Sequence, residues 1–172
     1  ARTFVVGAPN DLQRRVWSAV QAAYDAVMST ARPGVPCNEL HRGATAAIED
    51  AGFRLIHRIG HGLGLGTSFE WPSLDIEEAL LEPGMTFTIE PMVNAGRRHV
   101  KLLPDGWTVV TKDHSLSAQW EHTVLVTEDG AEVLTLDYVH GSLHLTIQAA
   151  GKDQLDAIYM DLSACEHVSI AL

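Results

Sequence analysis

Two strand-like runs, each carrying a single glutamate, constrain this chain more than any other feature of its sequence. One is Pro83-Gly84-Met85-Thr86-Phe87-Thr88-Ile89-Glu90-Pro91-Met92-Val93; the other is Ser117-Ala118-Gln119-Trp120-Glu121-His122-Thr123. An ionised carboxylate facing a core is costly unless a positive partner offsets it, and a metal ion is a natural partner. His61 lies upstream in Gly60-His61-Gly62-Leu63-Gly64, between glycines that would let a metal or substrate approach the backbone closely. One histidine and two glutamates form a hard-to-borderline donor set for a divalent ion. The residues alone leave a second reading open: strand glutamates satisfied by arginine or backbone donors, and a hydrogen-bonded core histidine.

The flanking pattern organises the chain around these runs. Arg2–Val6 reads as a strand stub. Asn10 and Gln13 make a capping-box start, after which Leu12, Val16, Ala19, Val20, Ala23 and Val27 follow helical spacing. Arg32-Pro33-Gly34 stops that helix, and a second one runs from about Pro36, with Leu40, Ala44, Ala47 and Ile48 on one face and Gly52 as its C-terminal cap. The period then shifts towards two. Strands are predicted at Leu55–Ile59, Met85–Glu90, Thr108–Thr111, Ala118–Thr127 and Glu132–Leu136, with Glu128-Asp129-Gly130 as a hairpin turn. Glu90 and Glu121 would then project from strands, and His122 would point to the opposite face from Glu121 in a structural role. Helices over a curved antiparallel sheet make an α+β layer.

Composition narrows the classes of partner. With 172 residues and 46% hydrophobic content the chain can bury one core and reads as soluble and globular. A formal net charge of −10 argues against nucleic acid or an anionic membrane as partner, since both call for a basic footprint. No apolar run approaches the ~20 residues of a membrane span. Cys37 and Cys165 are far apart and form no ligand or disulfide framework, which points to a reducing, cytoplasmic setting. The absence of an initiator methionine suggests a processed or truncated product.

The three pieces around His61, Glu90 and Glu121, in that order, resemble the C-terminal half of the pita-bread metallopeptidases. These are the methionine aminopeptidases with their Xaa-Pro aminopeptidase and prolidase relatives. From Leu81 to Thr135 the chain is similar to bacterial methionine aminopeptidase, including Asp105-Gly106-Trp107-Thr108, Thr111-Lys112-Asp113 and Ser115-Leu116-Ser117-Ala118-Gln119. From Ala1 to about Asp75 it resembles the Xaa-Pro branch, as in Arg2-Thr3-Phe4-Val5-Val6-Gly7, Arg32-Pro33-Gly34 and His57-Arg58-Ile59-Gly60-His61-Gly62-Leu63-Gly64-Leu65. The segment after Asp137 differs in character: a strand at Leu143–Ile147, a helix at Gln154–Leu162 and a strand at Val168–Leu172. It resembles the last third of small bacterial ferredoxin-like (ACT-like) proteins.

The resemblance implies an incomplete pita-bread fold over residues 1–136, lacking its N-terminal half, with a β-α-β tail over 137–172. It implies metal-assisted hydrolysis of the N-terminal residue (Met, or Xaa before Pro) from peptides. The family holds two divalent ions through two Asp, one His and two Glu. By motif the His is His61 and the Glu are Glu90 and Glu121, with Glu90 also the proton shuttle. The two Asp precede the run matching Ala1-Arg2-Thr3 and are missing. Phe69 and Trp107 fall at substrate-lining positions, Phe69 (or Ser68) in place of a family histidine. The cofactor implied is a divalent metal (Mn, Co, Zn or Fe), with at most one loosely bound ion. The partners implied are peptide N-termini, with self-association through unpaired strand edges. The lone chain is expected to be inactive; the alternatives are a non-catalytic peptide-binding module or a composite fragment without its own function.

Overall fold

Asn10 opens helix α1 (Asp11–Thr30) with both bonds of a capping box: its side chain accepts from the Gln13 amide and the Gln13 side chain accepts from the Asn10 amide. Two of the orphan donors at the helix start are thereby satisfied. The computed structural model describes residues 1–5, 7–64, 70–134 and 145–146. Along α1 the buried residues are Val16, Ala19, Val20, Ala23, Tyr24 and Val27, the stripe that helical spacing marks out. Leu12 departs from it and stays 43% exposed, because burial begins one turn further along, at Val16. Helix α2 (Cys37–Asp50) follows Gly34 and buries Cys37, Leu40, Ala44 and Ile48 against α1. α1 ends at Ala31, whose extended backbone leads into Arg32-Pro33-Gly34, and Gly52 just past α2 holds a positive φ near 81° at no Cβ penalty.

The strands are short. They are β1 (Arg2–Thr3), β2 (His61–Gly62), β3 (Glu70–Ser73), β4 (Thr86–Ile89), β5 (Met92–Asn94) and β6 (Val100–Leu102). After these come β7 (Val109–Thr111), β8 (Ser117–Gln119), β9 (His122–Val126), β10 (Ala131–Val133) and β11 (Leu145–Thr146). The largest sheet has the order β10-β9-β4-β2-β3, and its described pairings are antiparallel. Its centre is the β4–β9 pair, in register from Thr86 opposite Leu125 to Ile89 opposite His122. Phe87, Ile89, Val93, Val124 and Val126 from these strands join the helix stripe in one core. Two further antiparallel pairs, β5–β8 and β6–β7, extend the layer.

Several boundaries differ from the sequence reading. Leu55–Ile59 is not a strand: Phe53 caps α2 by donating to the Ile48 carbonyl, and Ile59 offers its carbonyl to the Glu90 amide at 2.6 Å. The predicted strand Ala118–Thr127 breaks at Trp120–Glu121 into β8 and β9. Glu90 and Glu121 therefore stand at strand ends and not within strands. The Arg2–Val6 stub is regular at Arg2–Thr3 and pairs in parallel with β11, the described part of the expected Leu143–Ile147 strand. The expected helix Gln154–Leu162 and strand Val168–Leu172 lie outside the described residues.

The glycines beside His61 serve the backbone. A Cβ on Gly60 would overlap the Thr88 carbonyl, and one on Gly62 would overlap the Trp71 carbonyl, so these residues let β2 close against its neighbours. Gly43, by contrast, sits inside α2 with open space around it. Gly60→Ala should therefore unfold or strongly destabilise the chain, while Gly43→Ala should stabilise it by about 1 kcal/mol, the helix cost of glycine against alanine; chemical denaturation measures both.

Asp113 ties two turns together, accepting from the Arg97 amide at 2.7 Å and the Ser115 amide at 3.2 Å. These bonds, that from Arg97 foremost, hold its carboxyl down at about 2. A carboxyl depressed in the folded state gives stability above its unfolded value near 3.8 and loses it as pH falls towards 2. Asp113→Ala should lower the melting temperature at neutral pH and flatten its dependence between those two pH values.

Candidate metal and peptide site

His61 is the first residue of β2, and its position is fixed from three directions. Its amide donates to the Thr88 hydroxyl at 3.0 Å. Its Nδ1 lies 2.9 Å from the Gly62 carbonyl, which accepts only from a protonated nitrogen, so Nδ1 carries a proton. Nε2 then faces Glu90, 3.3 Å from Oε1. A backbone acceptor on one ring nitrogen is how a ligand histidine is oriented.

Glu90 follows β4 by one residue and collects donors. The Thr88 hydroxyl bonds Oε1 at 2.9 Å and the Gln119 amide bonds Oε2 at 3.2 Å. Burial pushes the Glu90 carboxyl above its ordinary value; the Thr88 bond opposes this, the nearby charge of Glu121 adds to it, and His61 and the α-ammonium pull it back. Thr88 and Gln119 were not singled out from the sequence. The signal was present: each stands two residues before one of the glutamates, hence on the same side of a strand-like run.

Glu121 lies in the break between β8 and β9. Its amide donates to the Ala1 carbonyl at 2.9 Å, and the Arg2 guanidinium donates to both the Ala1 and Glu121 carbonyls. The α-ammonium of Ala1 sits 2.6 Å from Glu121 Oε2. Arg2 itself lies over the Trp120 ring, 4.4 Å from its centroid. Trp120 meets Trp17 and His122 edge-on at 5.8 and 5.9 Å between centroids. On the far side His122 Nδ1 shares a 2.7 Å hydrogen bond with the Tyr24 hydroxyl, which ties β9 to α1.

The structure thus brings His61 into contact with Glu90 and brings Glu121 within electrostatic reach of it. Among the described residues no three His, Cys, Asp or Glu side chains are arranged to hold a metal ion. The chemistry of the donor set nevertheless suits one. A half-buried carboxyl pushed up by desolvation and by a second carboxylate calls for positive charge, and an imidazole with two carboxylates suits Mn²⁺, Co²⁺, Zn²⁺ or Fe²⁺. Trp107 stands at the turn between β6 and β7, 83% exposed, with its amide bonded to Asp105. Phe69 lies outside the described residues.

The α+β layer, the Gly-His-Gly strand and the two glutamates together define a metallopeptidase scaffold. The chain belongs to metallopeptidase family M24, whose model matches residues 1–128. It is similar to the methionine aminopeptidase of Escherichia coli K12, 40% identical over 141 residues that cover 79% of this chain and 53% of that protein. Among solved structures it resembles methionine aminopeptidase from Rickettsia prowazekii, with a TM-score of 0.67 and 34% identity over 76% of this chain and 55% of that one. It also resembles the prolidase from Pyrococcus furiosus, with a TM-score of 0.64 and 34% identity over 79% of this chain and 36% of that one. The fold is therefore an incomplete pita-bread fold, and the chain spans about half the length of the curated relatives it matches. No helix among the described residues is long and apolar enough to cross a membrane.

The Tyr24–His122 bond is a polar link between α1 and the strand that follows Glu121. Tyr24→Phe should cost about 1 kcal/mol, the net worth of one hydrogen bond, and should shift the His122 ring-nitrogen resonance in an NMR spectrum while leaving that of His61 in place.

Proposed function

We propose that this chain carries part of the metal and peptide site of a methionine-aminopeptidase-type hydrolase, and that by itself it does not turn over peptides. The observation carrying this reading is the contact of His61 Nε2 with Glu90 Oε1 at 3.3 Å, with Glu121 close enough to act on the same carboxyl. His61, Glu90 and Glu121 would hold a single divalent ion loosely, since three donors leave part of its coordination sphere to water. Such an ion, when bound, lowers the pKa of water and polarises a carbonyl.

The residues themselves divide the work. Thr88 and Gln119 fix the Glu90 carboxylate. Glu90, with its carboxyl pushed up by burial, is the group suited to take a proton from water and pass it to a leaving amine. Glu121 would supply the third donor to the ion. The second reading, a peptide-terminus binding module, would use the same carboxylates to pair with a peptide's α-ammonium without turnover. Both readings give peptide N-termini as the partner. They differ in whether a segment carrying two Asp side chains restores turnover.

Titration of the lone chain with Mn²⁺ or Co²⁺, followed by calorimetry, should show one weak site that Glu90→Gln abolishes. Gln119→Ala should weaken that site by about tenfold, as loss of an orienting partner does. Cleavage of a Met-initiated peptide should match metal in buffer. It should rise when the N-terminal half of a bacterial methionine aminopeptidase is added. Robust turnover by the lone chain that Glu90→Gln removes would overturn the proposal of inactivity. Binding of a free-amine peptide but not its acetylated form, with no turnover after the half is supplied, would favour the binding module.

A further inference from the structure

A groove of about 650 Å³ lies away from the His61–Glu90 site, between the stretch after α2 and the turn joining β5 to β6. Its floor is half-buried Phe53, Leu55, Ile56 and Ala95, and its rim is exposed Arg54, Arg97, Arg98 and His99. In a protein of net charge −10, such a concentration of guanidinium groups is unexpected. None of the three arginine side chains forms an ion pair with a described carboxylate. The carboxylate of Asp113 lies behind the rim, but it is occupied by the Arg97 and Ser115 amides and does not reach the guanidinium heads as a partner. Arg15 adds a further positive charge at the edge, over the Phe53 ring.

A surface of opposite chemistry stands elsewhere on the same chain. Between Ser73 and Glu82 the backbone runs along the start of α2, bonded to it through the Glu77, Ala79 and Leu81 carbonyls and the Leu81 amide. Leu74 and Leu81 turn inwards and are fully buried. The outward residues alternate apolar and acidic: Ile76 is 70% exposed, Glu78 exposed, Leu80 52% exposed and Glu82 exposed. With its backbone already fixed, this ribbon loses little conformational entropy on docking. Two exposed aliphatic side chains flanked by carboxylates complement an apolar floor rimmed by guanidiniums, and arginine pairs well with carboxylate at such rims.

We propose that the groove of one copy receives the Ile76–Glu82 ribbon of a second copy. The contact joins two different patches and is heterologous, so one copy's groove and the next copy's ribbon are the pieces that meet. It is separate from the strand edges and from the metal and peptide site, and it does not depend on the function proposed above.

Sedimentation of the full chain over a concentration series tests this, with circular dichroism confirming that each variant folds. The wild type should sediment above monomer mass at low ionic strength and return to monomer in salt of about 1 M, where the screening length is about 3 Å. Arg97→Glu with Arg98→Glu should weaken association by about tenfold or more, and Glu78→Arg with Glu82→Arg should do the same. Mixing those two double variants should restore association, because the unaltered groove of one fits the unaltered ribbon of the other and the two charge-reversed surfaces again carry opposite charges. A wild type that stays monomeric throughout would overturn the proposal, as would association that neither double variant reduces, which would point to the strand edges. Stabilisation of a monomeric wild type by inorganic phosphate, lost in the arginine variants, would assign the groove to a small anion and overturn it as well.

Discussion

Two backbones meet at Gly60 and Thr88 with no side chain between them, and the geometry of the site follows from that approach. The approach lets the His61 amide reach the Thr88 hydroxyl, while the same hydroxyl donates to Glu90. One threonine thus links histidine and glutamate through a single oxygen, which can accept and donate at once. On the other side, Gly62 admits the backbone of β3 at Trp71, so β2 is gripped between two strands although it is two residues long. A strand so short gains little from its own hydrogen bonds. Its definition comes from the neighbours that its glycines admit.

The helices were legible in the sequence because their signals are local. Asn10 and Gln13 cap α1 by direct side-chain bonds, and positive φ at Gly52 ends α2 as its position implied, while Arg32-Pro33-Gly34 follows the end of α1. The strands were less legible because their limits depend on distant partners. Leu55–Ile59 has the composition of a strand, yet the stretch begins just after Phe53 caps α2 and ends where the Ile59 carbonyl accepts from Glu90. Glu90 and Glu121 were correctly marked as unusual among their apolar neighbours. Their placement at strand ends could not be read locally, since it depends on the Ile59 carbonyl for Glu90 and on β1 for Glu121. Thr88 and Gln119 illustrate the same limit. Their spacing puts them on the appropriate face, but that Gln119 serves Glu90, and not the nearer Glu121, is a property of the β5–β8 pairing.

The aromatic residues beside Glu121 set a boundary between the polar site and the core. Trp17, Tyr24, Trp120 and His122 meet edge to face, a geometry that favours aromatic contacts beyond the area they bury. Burial, reinforced by the positive charges of Arg2 and the α-ammonium, holds the His122 imidazole down at about 4, so it is neutral through the physiological range. A neutral ring suits a place among indoles, and it keeps a second positive charge away from the glutamate next to it in sequence.

The indole of Trp120 also gives the molecule an optical signature. It lies beneath the Arg2 guanidinium and at nearly a right angle to Trp17, with 5.8 Å between ring centroids. Two indoles so close couple electronically, and a cation over one of them perturbs its emission. Arg2 and the first residue ride on the same strand, so displacement of β1 from Glu121 would reorganise both effects together. Fluorescence and near-ultraviolet dichroism of the unlabelled chain therefore report directly on whether that strand is seated beside the carboxylate.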